Sequence, residues 1–152
     1  LKNRKIRIYL DNCCYNRPYD DQSQLMVSIE TQCKLWIQKM IREGSYELVS
    51  SYMLRYECIN SPFIDRKRAI IQFIDKYADY IVDVDRKNLI EERAQDIMST
   101  GIKFKDACHV ASAIFAGCDY FISTDKRLLR YKSEEIKLVS PVEFLEEVRK
   151  SL

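Results

Sequence analysis

Four carboxylates, Asp11, Glu57, Asp106 and Asp125, are the residues of this chain whose positions suit chemistry. The run from Lys105 to Arg127 carries two of them around a single helix-strand unit. It reads as a helix opening on Asp106 and closing at Gly117, then a short apolar strand, Tyr120 to Ile122, with Asp125 just past its end. A strand that returns beside its own helix brings Asp125 back to the edge of the fold where Asp106 lies. Asp11 after the first strand and Glu57 after the second would complete a cluster of hard oxygen donors. Such a cluster suits a divalent cation.

Each acid also has an ordinary role when taken singly. Asp125, ahead of Lys126-Arg127-Leu128-Leu129, reads equally as a helix N-cap, and Asp106 as an acid favoured in the first turn of a helix. Asp11 alone is a turn residue and Glu57 alone a partly exposed helix carboxylate. The joint placement at one edge of a parallel sheet is what favours the cluster. His109, three residues after Asp106, shares its helix face and reads more readily as a structural hydrogen-bonding residue than as a proton carrier. Asn12, Ser123 and Thr124 flank the acids and can orient ligands or water, or can serve as turn residues.

The elements that must position these groups are well marked. Lys5 to Leu10 is a strand ending at Asp11. A helix from about Asp21 to Glu43 puts Leu25, Ile29, Cys33, Trp36, Ile37, Met40 and Ile41 on one stripe. Glu47 to Ser50 is a strand, followed by a helix from about Ser51 to Asn60 on which Leu54, Glu57 and Cys58 share a face. A carboxylate on that inward stripe needs a partner. A helix over Asp65 to Ala78 precedes a strand over Tyr80 to Val84, and Asp85 is the expected N-cap of a helix ending near Thr100. After the Asp106 helix and its strand come a helical turn at Asp125 to Arg130, a strand at Lys137 to Val139 and a helix from Pro141 to Lys150. Ser140-Pro141-Val142-Glu143 has the form of a capping box. Gly44, Gly101 and Gly117 each close an amphipathic run. Strands separated by helices predict a parallel sheet covered on both faces, with the site outside its carboxyl edge.

Bulk properties bound the rest. The 152 residues, 47% hydrophobic and 32% charged, suffice for one domain, 1–152, with a substantial core. No apolar run approaches the length of a membrane span, and the first residues carry no secretory signal, so a cytoplasmic protein with no membrane partner is expected. Six cysteines without Cys-x-x-Cys spacing and one histidine argue against zinc and for reduced, small core residues. A net charge of +2 neither demands nor excludes nucleic acid.

These residues resemble the acidic signature of the PIN domain family: Asp11 after strand one, Glu57 in the helix after strand two, Asp106 opening Lys-Asp-Ala-Cys-His-Val-Ala, and Asp125 closing Ser-Thr-Asp. The similarity is greatest to small bacterial toxin ribonucleases of the VapC type. It follows nearly the whole chain in order of elements and is most specific from Phe104 to Arg130. Many such proteins follow the first Asp with Thr or Ser and then Asn, whereas Asn12 and Cys13 stand here, so that hydroxyl is expected to be either absent or replaced by the Asn12 amide.

The resemblance implies a three-layer α/β/α sandwich with a central parallel sheet of four to five strands. It also implies metal-dependent hydrolysis of RNA, with Mg²⁺ or Mn²⁺ held by Asp11, Asp106 and Asp125 and with Glu57 as ligand or orienter of the attacking water. A homodimer and an antitoxin protein are the implied partners. An acidic centre repels phosphate unless cations surround it, and Arg17, Lys103, Lys105, Lys126, Arg127 and Arg130 flank the acids in sequence. Tyr15, Tyr52 and Phe104 are near enough to stack on an unpaired base, core packing being the expected fate of Phe104. Two other classes stay open: a noncatalytic PIN-fold module binding RNA or protein, and another phosphoryl-transfer enzyme on a doubly wound sheet. Against the latter, Cys13 stands where a haloacid-type phosphatase places its second Asp.

Overall fold

The computed structural model describes residues 4–150. Residues 1–3, read above for a secretory signal, and 151–152 of the expected domain lie outside the described residues.

Five parallel strands form one sheet: β1 Ile6–Leu10, β2 Tyr46–Ser51, β3 Ala78–Val82, β4 Tyr120–Ile122 and β5 Lys137–Val139, in the order β3-β2-β1-β4-β5. The helices are α1 Asn12–Asn16, α2 Leu25–Arg42, α3 Tyr52–Ile59, α4 Ile64–Tyr77, α5 Lys87–Met98, α6 Phe104–Phe115, α7 Lys126–Leu129 and α8 Pro141–Lys150. β1 is central, and its Ile8, Tyr9 and Leu10 are fully buried. Alternation along the strands assigns the two faces. Tyr9 meets His109 of α6, whereas Tyr120, the register partner of Ile8, packs its ring against Phe144 of α8. α6 packs with α5 and α3 on one face, and α8 packs with α2 on the other.

The chain winds outward from β1 through β2 to β3, then crosses to β4 and β5. The switch point of the sheet therefore falls between β1 and β4, where open α/β sheets bind ligands. In the parallel register Leu10 pairs with Ile122, and the Asp11 amide continues the ladder onto the Ile122 carbonyl at 2.9 Å. Asp11 and Ser123 are thereby level at the sheet edge.

The punctuation holds. Gly44, Gly101 and Gly117 all have positive φ, and Ser140 and Glu143 exchange side chain-to-amide bonds at 3.0 and 3.1 Å in a reciprocal cap of α8. Four expectations need correction. β3 begins at Ala78, because Ala78 pairs with Leu48 through a register shift that lets Asp79 accept the Leu48 amide. Asp85 does not cap α5: it lies inside a 3-10 turn, Val84–Arg86, which Asp83 caps by accepting the Val84 amide, and α5 follows from Arg86 without a side-chain cap. The Asp106 helix begins at Phe104, two residues early. The long second helix begins at Leu25, because Asn12–Asn16 forms a helix of its own, followed by a 3-10 turn at Arg17–Tyr19.

The inward face of α2 also differs from the apolar stripe. Leu25, Ile29 and Trp36 are exposed, while Val27, Glu30, Lys34, Ile37, Gln38 and Ile41 are buried. Arg17 accounts for this rotation. Its guanidinium pairs with Glu30 at 2.7 Å and with Asp20 at 3.0 Å, fixing a nearly buried carboxylate on the inner side of the helix. A buried acid stripped of such a partner would cost several kcal/mol, on the order of 3–5.

Candidate active site

The four acids sit at the carboxyl edge of the sheet, each delivered by a different connection. Asp11 is the N-cap of α1, because β1 ends there and the carboxylate can accept the first free amide. Its Oδ1 accepts the Asn12 amide at 2.8 Å and its Oδ2 the Ser123 hydroxyl at 2.8 Å. Ser123 in turn accepts the Asp125 amide at 3.0 Å, so one buried hydroxyl ties two of the acids together. Asp125 caps α7 through Oδ1, which accepts the amides of Arg127 and Leu128. The ordinary readings of Asp11 and Asp125 as cap residues are thus correct as far as they go.

Glu57 finds the partner that its place on α3 requires. His109, fully buried on α6, meets Glu57 Oε1 through Nε2 at 2.6 Å, and its Nδ1 lies 2.7 Å from the Tyr9 hydroxyl. Tyr9 continues to Ser51 Oγ at 2.6 Å, and Ser51 accepts the Leu54 amide as N-cap of α3. Burial alone would lower the His109 pKa. The hydrogen bond to Glu57 and the charges of Asp11, Glu57 and Asp106 outweigh it, so the pKa is raised.

Asp106 differs from the other three. It is partly buried, and its carboxylate accepts no hydrogen bond from the described residues. Burial pushes its pKa up to about 6, Asp11, Asp125 and Glu57 push the same way, and His109 opposes them. Asp106 therefore lies within the field of the other three acids. Asp106 and Asp125 face an open cleft of about 410 Å³ that is also lined by Lys103, Lys126, Arg127 and Arg130.

The expectation that all four carboxyl groups surround one pocket is met only in part. Asp11 and Glu57 do not line that cleft, and among the described residues no three His, Cys, Asp or Glu side chains already stand as a ligand set for an ion. Each of Asp11, Glu57 and Asp125 has instead taken a local donor. The donor chemistry fits Mg²⁺ or Mn²⁺ all the same. The group is all carboxylate, and burial and the other acids together hold the Asp106 pKa up.

The flanking residues divide. Arg17 is committed to Glu30 and Asp20, away from any phosphate role its sequence position suggested. Lys105 stands over the Tyr56 ring, 5.5 Å from its centroid, beside a different and larger cleft of about 790 Å³ lined in part by Tyr52, Ile59, Val84 and Phe104. Tyr15 is buried and unable to stack on a base, whereas Phe104 is 37% exposed and not a core residue. The Asn12 side chain binds Asn16 and does not replace a hydroxyl at Asp11. Ser123 supplies that hydroxyl, and the Cys13 thiol stands beside it, 3.4 Å from Asp11 Oδ2. Thr124 is buried and donates its amide to Cys13. Sequence reading missed Cys13, Tyr9 and Ser51. A tyrosine between the apolar residues at the end of the first strand, and a serine at a helix start, were the available signals.

No protein-family model matches the sequence, and no curated protein matches it either. Solved structures do match in fold. The VapBC2 complex of Rickettsia felis bound to a promoter DNA fragment gives a TM-score of 0.52 at 12% identity, over 89% of this chain and 98% of that one. FitAB bound to an IR36 DNA fragment gives 0.57 at 15%, over 88% and 94%. FitAcB from Neisseria gonorrhoeae gives 0.55 at 17%, over 89% and 98%. With its five parallel strands between two helical layers, the chain has the PIN-like α/β/α fold of these structures.

Proposed function

We propose that the chain is a Mg²⁺- or Mn²⁺-dependent ribonuclease that acts in the cytoplasm as the toxin of a toxin-antitoxin pair. The observation that carries this reading is Asp106, a half-buried carboxylate that accepts no hydrogen bond from the described residues, set near three further acids at the carboxyl edge of the sheet. An acid placed so is costly for folding and useful for holding a cation. Asp11, Asp106 and Asp125 hold the ion. An ion held there would supply an activated water and neutralise charge on the phosphate.

The protein's own groups do the remaining work. Ser123 and the Asn12 amide orient Asp11, and Ser123 fixes the backbone from which Asp125 projects. Glu57 is gripped at Oε1 by His109 and offers its other oxygen to the ion or to the attacking water. Lys103, Lys126, Arg127 and Arg130 bring the RNA backbone over an acidic centre that would otherwise repel it. The RNA is the substrate, and a homodimer and an antitoxin protein complete the proposed assembly. The antitoxin is supported by the VapBC2 and FitAB neighbours being complexes.

Cleavage of single-stranded and structured RNA with Mg²⁺, Mn²⁺ or chelator tests the reading. Hydrolysis should stop on chelation and weaken steeply with salt. Neutralising either Arg127 or Lys103 should lower the slope of RNA affinity against salt by about one. A noncatalytic PIN-fold module is the second reading, favoured by the local hydrogen bonds that Asp11, Glu57 and Asp125 already make. RNA binding that ignores chelator, without cleavage, would select it.

A further inference from the structure

Glu57 is held by more than His109 alone. A continuous line of buried side chains runs from it through the fold: Glu57 Oε1 to His109 Nε2 at 2.6 Å, His109 Nδ1 to Tyr9 at 2.7 Å, and Tyr9 to Ser51 at 2.6 Å. The line joins α3, α6, β1 and the end of β2, and it closes on itself, because Ser51 caps the helix that carries Glu57. His109 and Tyr9 are wholly inaccessible and Ser51 is 1% exposed, so none of these three has water as an alternative partner, and only Glu57 at the head of the line reaches solvent. Either protonation state of the ring leaves the Nε2 proton on Glu57, while the Tyr9 and Ser51 hydroxyls turn to suit Nδ1.

We infer that Tyr9 and Ser51, acting through His109, are positioning residues that fix the Glu57 carboxylate for metal binding. The inference rests on the metal-dependent reading above and adds to it a support that reaches from the site into the centre of the sheet. Tyr9 stacks on Phe121 of β4 at a ring separation of 5.3 Å, so its hydroxyl cannot wander. The position of Glu57 is thereby referred to the same two strands that deliver Asp11 and Asp125. Partners of this kind orient ligands, and their loss typically weakens metal binding by about 10- to 100-fold.

The test is a calorimetric titration of Mn²⁺ into metal-free protein, with no RNA present, for wild type, Tyr9→Phe, Glu57→Gln, Asp125→Asn and the two double variants. Tyr9→Phe keeps the ring and removes only the hydroxyl. It should weaken Mn²⁺ binding by about 10-fold, with the loss persisting beside Asp125→Asn and vanishing beside Glu57→Gln. An unchanged affinity, or a loss that is the same in both backgrounds, overturns the inference and leaves the ribonuclease reading standing. Wild type that binds no Mn²⁺ overturns both. His109 is the only histidine in the chain, so its ring nitrogens give a check that needs no variant. The Nε2 resonance of ¹⁵N-labelled wild type should carry a slowly exchanging proton and shift on saturation with Mg²⁺. A rapidly exchanging or unresponsive signal overturns the inference.

Discussion

Asp106→Asn is expected to lower RNA hydrolysis by about 10²- to 10³-fold, the scale on which one preorganised charge-stabilising group acts, while raising the melting temperature of the metal-free protein. The second half of this expectation separates the two readings of the residue. An acid that merely favours the helix N-terminus stabilises the fold, so its loss lowers Tm. The geometry here argues the reverse, since burial and three neighbouring acids hold the Asp106 pKa at about 6 against an ordinary 3.8. Between those values the folded protein binds more protons than the unfolded chain, so stability falls as pH rises through that window. Above about pH 6 the whole penalty is present. A shift of about two units corresponds to roughly 3 kcal/mol. Asp106 is only half-buried, and solvent screening brings the expected gain to about 1 kcal/mol, or about 2–4 °C in Tm. Below about pH 3, where both states are protonated, the penalty on the wild type should be gone and the wild type and the variant should melt together. Thermal melts at several pH values, paired with initial rates of cleavage, read both effects.

Asp11→Asn should match that loss of hydrolysis and differ in the sign of its effect on stability. Asp11 is 5% exposed and uses both oxygens. If the amide oxygen keeps the Asn12 N–H, its NH₂ group faces the Ser123 hydroxyl and the Cys13 thiol, two groups that donate to the wild-type carboxylate. Ser123 would have to turn, and its hydroxyl already accepts from the Asp125 amide. A buried polar group left mispaired costs about 1–3 kcal/mol, so Tm should fall by several degrees. The same removal of one negative charge thus stabilises at Asp106 and destabilises at Asp11. Only the local donors differ.

The sequence was informative about this site wherever one residue type in one local pattern decides the outcome. The Ser140-Glu143 box, the three positive-φ glycines and the strand at Tyr120–Ile122 could all be read directly. So could the need of Glu57 for a partner, since a carboxylate on the inward face of α3 cannot stay unpaired. What could not be read depended on residues far apart in the chain. Arg17 looked available for phosphate, yet Glu30, thirteen residues on, takes it and turns α2 with it. The hydroxyl that serves Asp11 comes from Ser123 across the sheet, and no local pattern around Asn12 shows that. Tyr9 was legible as a strand residue, but its hydroxyl acquires meaning only once α6 has been laid over β1. That the acids lie at one edge of the sheet could be read from topology, whereas their separate hydrogen-bond partners, and the absence of Asp11 and Glu57 from the cleft that Asp106 and Asp125 line, required coordinates.

The central claim, that these acids hold one divalent cation, is tested most directly by anomalous diffraction from crystals soaked in Mn²⁺. The account predicts a peak bounded by the carboxylates of Asp106, Asp125 and Asp11, with Glu57 in contact directly or through water, and no peak in crystals of Asp106→Asn. A saturating soak that leaves this edge of the sheet without a peak, or a peak that persists when Asp106 is replaced, would contradict it.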